Sequence, residues 1–265
     1  SASDLETLVG PIALYPDDLV GVILPASTFP LQIVEAERFL EARKQNPDLQ
    51  PKQGWDDTVV ALLNYPDVVK KMSQELDWTV GLGEAVAADQ GAVLEAIQRF
   101  RRKVQAAGNL KSDDKQTVVV EKEVIKVVPA NPEVIYVPSY TPTTVVVPSA
   151  APVYGYYPTP YPVYYYPYAP GAMFATGMIF GAALGAAWHA NYHDYHVDID
   201  RNVNANINRN VSGSVNRANI NRGSVNRGQT TAWKPSRTPA QVSSGLSNAS
   251  RRPGGRVGDA PARPP

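Results

Sequence analysis

From Val134 to His193 the chain carries no Asp, Glu, Lys or Arg. A run of that length without charge is a surface meant to be covered, either by lipid or by copies of itself. Within it VYGYYPTPYPVYYYPYAP (153–170) gives way to GAMFATGMIFGAALGAAW (171–188). Gly177, Gly181 and Gly185 stand four residues apart, which on a helix makes a smooth groove for a neighbouring backbone. Eighteen residues of helix reach roughly 27 Å, just short of a bilayer core. So 171–188 suits either a helix buried in an oligomer or fibre or a membrane-associated helix. An ordinary core helix and an aggregation-prone linker are the remaining readings.

The flanks sharpen this. Eight tyrosines fall between Tyr154 and Tyr168, interleaved with proline. That composition favours extended polyproline-II backbone, as a semi-rigid linker or as a docking strip built on rings such as Tyr164, Tyr165 and Tyr166. After residue 196 the chain alternates: Val197, Ile199, Arg201, Val203, Ala205, Ile207, Arg209 and Val211 take one face, with Asp or Asn between them. Asn204, Asn206 and Asn208 lie on the second face, where asparagines in register form amide ladders. Otherwise the tract is polar and disordered. The tripeptide Val/Ile-Asn-Arg recurs at 207–209, 215–217, 220–222 and 225–227. From Gln229 onward a Ser/Pro/Arg/Gly composition predicts disorder in an isolated chain.

Charge divides the chain as well. Residues 1–114 hold 18 acidic against 11 basic side chains, and residues 194–265 hold 4 against 11. An acidic head and a basic tail favour head-to-tail association, or are two solvated surfaces that never meet. There is no cysteine, so disulfides, thiolate chemistry and Cys-based metal sites are excluded. The start at Ser1-Ala2-Ser3 fits a mature form whose signal peptide has been removed, and equally a trimmed chain.

The first part of the chain is expected to be helical. Ser3 and Glu6 have capping-box spacing, and Asp17 is placed to cap a helix through Leu24. Pro30 suits the first turn of a helix to about Lys44, with Ile33, Ala36 and Leu40 on one face. Asp57 and Pro66 open short helices, Asp77 precedes another, and Asp89 precedes one over roughly 90–107. There Val93, Ile97, Phe100 and Val104 form a stripe that Gly108-Asn109 ends. Phe29, Trp55 and Trp78 are read as core. Residues 116–147 then switch to a period of two in TVVVEKEVIKVV, EVIYVPSY and TTVVV. With a turn at Pro129-Ala130-Asn131-Pro132 and a solvated side marked by Glu121, Glu123 and Lys126, this predicts a hairpin or three-stranded meander.

The strings ALYPDDL (13–19), ILPASTFPLQIVEAERFL (23–40), WDDTVVALLNYPDVVKKM (55–72), LDWTVGLGEA (76–85), IQRFRRKVQAAGNL (97–110) and PEVIYVPSYTPTTV (132–145) carry a likeness. Over about 1–147 the chain resembles the DUF3300 family, exported bacterial proteins with a helical N-terminal region followed by low-complexity tails. The resemblance implies a Gram-negative envelope setting, in the periplasm, at the outer membrane or outside the cell. It brings no catalytic residues with it.

The fold expectation is α+β: a helical domain over 1–112 and a β hairpin or meander over 113–148. A Tyr/Pro segment (149–170), a glycine-zipper segment (171–190), an Asn-rich repeat (191–228) and a basic tail (229–265) follow. All three histidines cluster as His189, His193 and His196, beside Asp194 and Asp198. Spaced so on a continuing helix they could hold zinc, nickel or copper, or make hydrogen bonds between subunits. No metal or cofactor is expected from the rest. Nucleophile elbow, phosphate loop, dinucleotide fingerprint and HExxH are absent from the sequence. Asp17-Asp18 and Asp56-Asp57 sit at helix starts, where capping accounts for them. The expected function is therefore not enzymatic. It is self-assembly through Gly177, Gly181, Gly185, Tyr164–Tyr166 and Asn204, Asn206 and Asn208, with copies of itself as partner. Membrane anchoring through 171–188 is the alternative. The spaced arginines of the tail could bind nucleic acid or anionic polysaccharide, but no nucleic acid is expected for an exported protein.

Overall fold

The computed structural model describes residues 1–121, 123–130, 135–158 and 235–250. The described chain is mixed helix and strand: an N-terminal helical region followed by small antiparallel hairpins. Its helices are α1 (Ala2–Val9), α2 (Asp17–Ser27), α3 (Pro30–Gln45), α4 (Asp57–Leu62), α5 (Pro66–Gln74), α6 (Leu76–Ala88) and α7 (Gln90–Ala106). Then come β1 (Gln116–Glu121), β2 (Val124–Pro129), β3 (Pro138–Tyr140), a single turn α8 (Pro142–Val145) and β4 (Tyr154–Tyr156). After residues 159–234 a helix α9 (Pro239–Ser250) packs back on α6 and α3.

Helix α2, DDLVGVILPAS, is apolar on nearly every face, as a helix at the centre of a domain must be. Leu19, Val20, Ile23 and Leu24 are buried, with α3, α4 and α6 packed around them. Pro25 ends the helix two residues on, and the hydroxyls of Ser27 and Thr28 donate to the carbonyls of Leu24 and Pro25, each at 2.6 Å. Pro30, at the first position of α3, keeps Phe29 out of the helical region, so the chain turns by 116° between the two helices. Most helix starts follow their local signals. Asp56 accepts from the Thr58 amide at 2.9 Å, and Asp89 from the Ala92 amide at 3.0 Å. Gly108, at φ +78, closes α7 in the left-handed region.

Several expectations need correction. The capping box is made by Ser1 and Asp4, not Ser3 and Glu6. Helix α2 runs to Ser27, its N-cap is Pro16, and Asp17 is used elsewhere. The first hairpin turns at Glu121–Val124, not at 129–132, because the charged Glu121-Lys122-Glu123 breaks the apolar alternation there. Its two arms then pair from Gln116 with Pro129 to Glu121 with Val124, putting Val124, Ile125 and Val127 against the helices. Glu121 and Lys126 are not simply solvated: they form a half-buried cross-strand pair at 2.7 Å. The TTVVV run begins as helical turn α8, since Pro142 fits a first helical position and the Asn109 side-chain amide donates to the carbonyls of Val145 and Val147. The start of the Tyr/Pro segment is extended but paired, with Tyr154 opposite Tyr140. Within the basic tail expected to be disordered, Pro239–Ser250 is helical.

Candidate functional site

Among the places where the described residues gather side chains from distant parts of the chain, two stand out. The first is internal. Arg101 lies on the apolar stripe of α7 with no exposed surface. Its Nε donates to Ala13 O (2.7 Å), Nη1 to Asp17 Oδ1 (2.6 Å) and Ile125 O (2.7 Å), and Nη2 to Tyr15 O (3.0 Å). One guanidinium thus ties the ALYPDD loop to α7 and β2. Burial raises the Asp17 carboxyl above the ordinary aspartate value, and the Arg101 charge opposes that shift. Tyr140 completes the clamp: its hydroxyl donates to Gly10 O at 2.7 Å and accepts from the Leu14 amide at 3.1 Å. Burial pushes this phenol upward. Gln98 spans the same seam, its amide accepting from Ile125 N at 2.8 Å and donating to Ile125 O at 3.1 Å, as a neighbouring strand would. These groups are mutually satisfied and enclosed, so their chemistry is structural.

The second place is at the surface. Gln32 and Glu35, one turn apart on α3, hold the loop before α4. Gln32 Oε1 accepts from the Asp56 amide at 2.8 Å, and Glu35 accepts from Trp55 Nε1 at 2.8 Å and Lys52 Nζ at 3.0 Å. The Trp55 indole N–H, and Lys52 behind it, hold the Glu35 carboxyl below its ordinary value. Gly54, at φ +87, makes the left-handed turn that brings Trp55 onto Phe39, ring centroids 5.7 Å apart. Trp55 and Trp78 therefore rim the core with their N–H groups satisfied, whereas Phe29 is buried.

Against this frame lies α9. The Arg237 guanidinium sits 4.4 Å from the centroid of the Phe29 ring, and Val242 is fully buried. Gln241 returns its side-chain oxygen to the Thr238 amide at 2.9 Å, as in a capping box. On the other side of Val242, Gly83 lets α6 approach the end of α2. A Cβ there would stand 2.2 Å from Ser27 O and 3.0 Å from Val242 Cγ1. What remains open is a groove of about 680 Å³ walled by Phe29, Leu31, Trp55, Arg237 and Val242. Of its charged lining groups, Glu35 and Lys52 pair with each other at 3.0 Å and Arg237 lies on the Phe29 ring.

The assembly residues expected from the sequence, Gly177, Gly181, Gly185, Tyr164–Tyr166, Asn204, Asn206 and Asn208, lie outside the described residues, as do His189, His193 and His196. Among the described residues no group of three or more His or acidic side chains could hold a metal ion. Nor is any single described helix long and apolar enough to cross a membrane. The sequence reading misses the Arg101 clamp and the α9 groove. Their signals were a cation on the Ile97–Phe100–Val104 stripe, and Thr-Pro-Ala-Gln at 238–241, a cap followed by proline.

The family model described as a protein of unknown function (DUF3300) matches residues 1–234, extending well beyond the 1–147 that carries the motifs. A protein of Escherichia coli (strain K12) named uncharacterized protein YacH is 32% identical over 137 residues. That alignment covers 49% of this chain and 21% of the relative, so the chain spans about a fifth of the relative's length. No solved structure matches.

Proposed function

This chain belongs to the DUF3300 family, and we propose that it is an exported structural protein whose folded body grips both ends of a low-complexity segment that associates with other copies. The observation carrying this reading is the return of α9. At one end the Tyr157 amide donates to Val137 O at 3.0 Å; at the other, Arg237 stacks on Phe29 and Val242 is buried. Residues 159–234 begin and end on the same body. A segment joined to one body at both ends cannot drift away from it, a suitable arrangement for lateral association.

The segment's residue types supply the chemistry of association. Tyr164–Tyr166 offer rings that bury area while keeping a hydroxyl for a partner. Gly177, Gly181 and Gly185 offer close backbone approach. Asn204, Asn206 and Asn208 offer stacked amides. The acidic head and basic tail of different copies attract one another. The product would be an envelope-associated or extracellular fibre or oligomer, with the helical body on its outside.

The test is sedimentation velocity and negative-stain microscopy across protein concentration, on the natural chain and on Gly181→Leu. Concentration-dependent particles that Gly181→Leu reduces would support the reading. A chain that stays monomeric at the highest concentration would overturn it.

A further inference from the structure

We infer that the groove between α3 and α6 takes α9 from a second copy of this chain as well as its own, so that neighbouring copies are joined by helix exchange. The inference builds on the self-assembly reading, which supplies the crowding that exchange needs.

Alone, α9 has little reason to be helical. Its sequence, PAQVSSGLSNAS, holds four Ser, one Gly and one Asn, all poorer helix formers than Ala, and twelve residues are too few for a stable isolated helix. So α9 is ordered by the surface it meets. That surface is built without it: Phe29 and Leu31 are set by Pro30 and the start of α3, Trp55 by Glu35 and the turn at Gly54, and Gly83 by the α2–α6 contact. Contact is narrow. Val242 is the one fully buried α9 side chain among the described residues, with Arg237 stacked outside it. α9 packs on α6 and α3 from outside the buried cluster of the body, so it can be exchanged without unfolding either body.

Identity of the groove in every copy makes the exchange nearly neutral. The same contacts form in either arrangement, which is why swapping an identical element is a low-cost route to association. What decides between them is concentration. A tether gives its own helix an effective concentration of about millimolar or less, falling as the tether lengthens. Residues 159–234 separate α9 from the rest of the body in sequence, and bodies held side by side in an assembly reach comparable concentrations. The opposite net charges of tail and body favour docking equally in either arrangement.

The absence of cysteine from the sequence gives a clean test. Leu31 (44% exposed), on α3, and Ser244, on α9, both line the pocket left open between the two helices. Full-length Leu31→Cys and Ser244→Cys chains with different tags are mixed in denaturant, refolded together, concentrated and treated with a short bis-maleimide. The double variant is treated in parallel, and sedimentation is run on each sample. The inference expects a covalent heterodimer between the two tagged chains, reduced at least tenfold when the Ser244→Cys chain also carries Val242→Asp. Particles accompanied only by intrachain cross-links in the double variant would overturn exchange while leaving self-assembly standing. No particles at any concentration would overturn the assembly reading and exchange with it. A double variant that does not cross-link at all would show that α9 does not occupy this groove, and would also overturn the inference.

Discussion

Arg101 Nη1 stands 2.6 Å from Asp17 Oδ1 across 84 residues of sequence, and the arginine side chain is wholly enclosed. The same guanidinium also serves the carbonyls of Ala13, Tyr15 and Ile125, so it satisfies backbone as well as charge. Arg101→Leu leaves a buried carboxylate and the carbonyls of Ala13 and Tyr15 without that donor, while Ile125 O keeps the Gln98 amide, and is expected to cost about 3–5 kcal/mol of unfolding free energy. Neutralising Asp17 as well removes the orphaned charge but not the orphaned carbonyls. The double variant Arg101→Leu/Asp17→Leu should therefore recover only part of the loss. Urea denaturation of the three variants checks this; full recovery in the double variant would mean that the carbonyl contacts contribute nothing.

Two glycines on α6 make a paired prediction. In the middle of a helix, Ala is better than Gly by about 1 kcal/mol. At Gly81 a Cβ meets only Leu8 Cδ1 at 3.6 Å, an ordinary contact, so Gly81→Ala should stabilise the protein by roughly 0.5–1 kcal/mol. At Gly83 the Cβ would stand 2.2 Å from the Ser27 carbonyl oxygen, which is backbone and cannot swing away. Gly83→Ala should therefore destabilise by about 1–3 kcal/mol despite its better propensity. Thermal or chemical melts showing the same sign at both positions would contradict the close α2–α6 approach.

The contrast between those positions also shows what the sequence can and cannot reveal. Helix starts are legible because their signals are local: Pro30, Asp56, Pro66 and Asp89 each act on the next few residues. The stripe Val93–Ile97–Phe100–Val104 is legible as a buried face, and all four residues are buried. Arg101, one turn after Ile97, stands on that face, yet nothing local says that its partner is Asp17. Asp17 has the position of a helix-start acid and a different use. The hairpin turn is misread because prolines at 129 and 132 outweigh the Glu-Lys-Glu interruption when only turn propensity is considered. The α9 groove is the least legible feature. Leu31, Trp55 and Val242 come from three distant segments, and α9's composition argues against a helix until a docking surface is supplied.

Acidity should loosen the surface frame beside the groove. The Glu35 carboxyl is held below the ordinary value of 4.5 by the Trp55 indole N–H and by Lys52. A carboxyl depressed in the folded state contributes stability that is present above its unfolded value and lost as pH falls through the folded one. The natural chain should thus lose this contribution below pH 4.5, by less than about 1 kcal/mol because the pair is partly exposed to water. Glu35→Gln retains an acceptor for Trp55 but no charge. Its unfolding midpoint, followed by Trp fluorescence from pH 7 to pH 3, should fall less steeply below pH 4.5 than that of the natural chain. Parallel curves would assign the acid sensitivity to other carboxylates.

Docking of α9 should be separable from folding of the body. Val242 is buried between α9 and α6, beside Gly83 and under the Arg237–Phe29 stack. An aspartate there would have to be dehydrated without a partner, so Val242→Asp should release the helix. Release frees Arg237, whose guanidinium otherwise lies on the Phe29 ring, for tryptic cleavage. Each loss of about 1.4 kcal/mol in docking multiplies the open fraction tenfold, and cleavage after Arg237 should accelerate at least in that proportion. The buried cluster from Val9 to Val145 does not include α9, so cooperative unfolding of the body should persist. Val242→Ile, slightly larger and equally apolar, should keep Arg237 protected. Accelerated cleavage together with loss of the body's cooperative transition would instead make α9 an integral part of the fold, and would remove the physical basis for its exchange between copies.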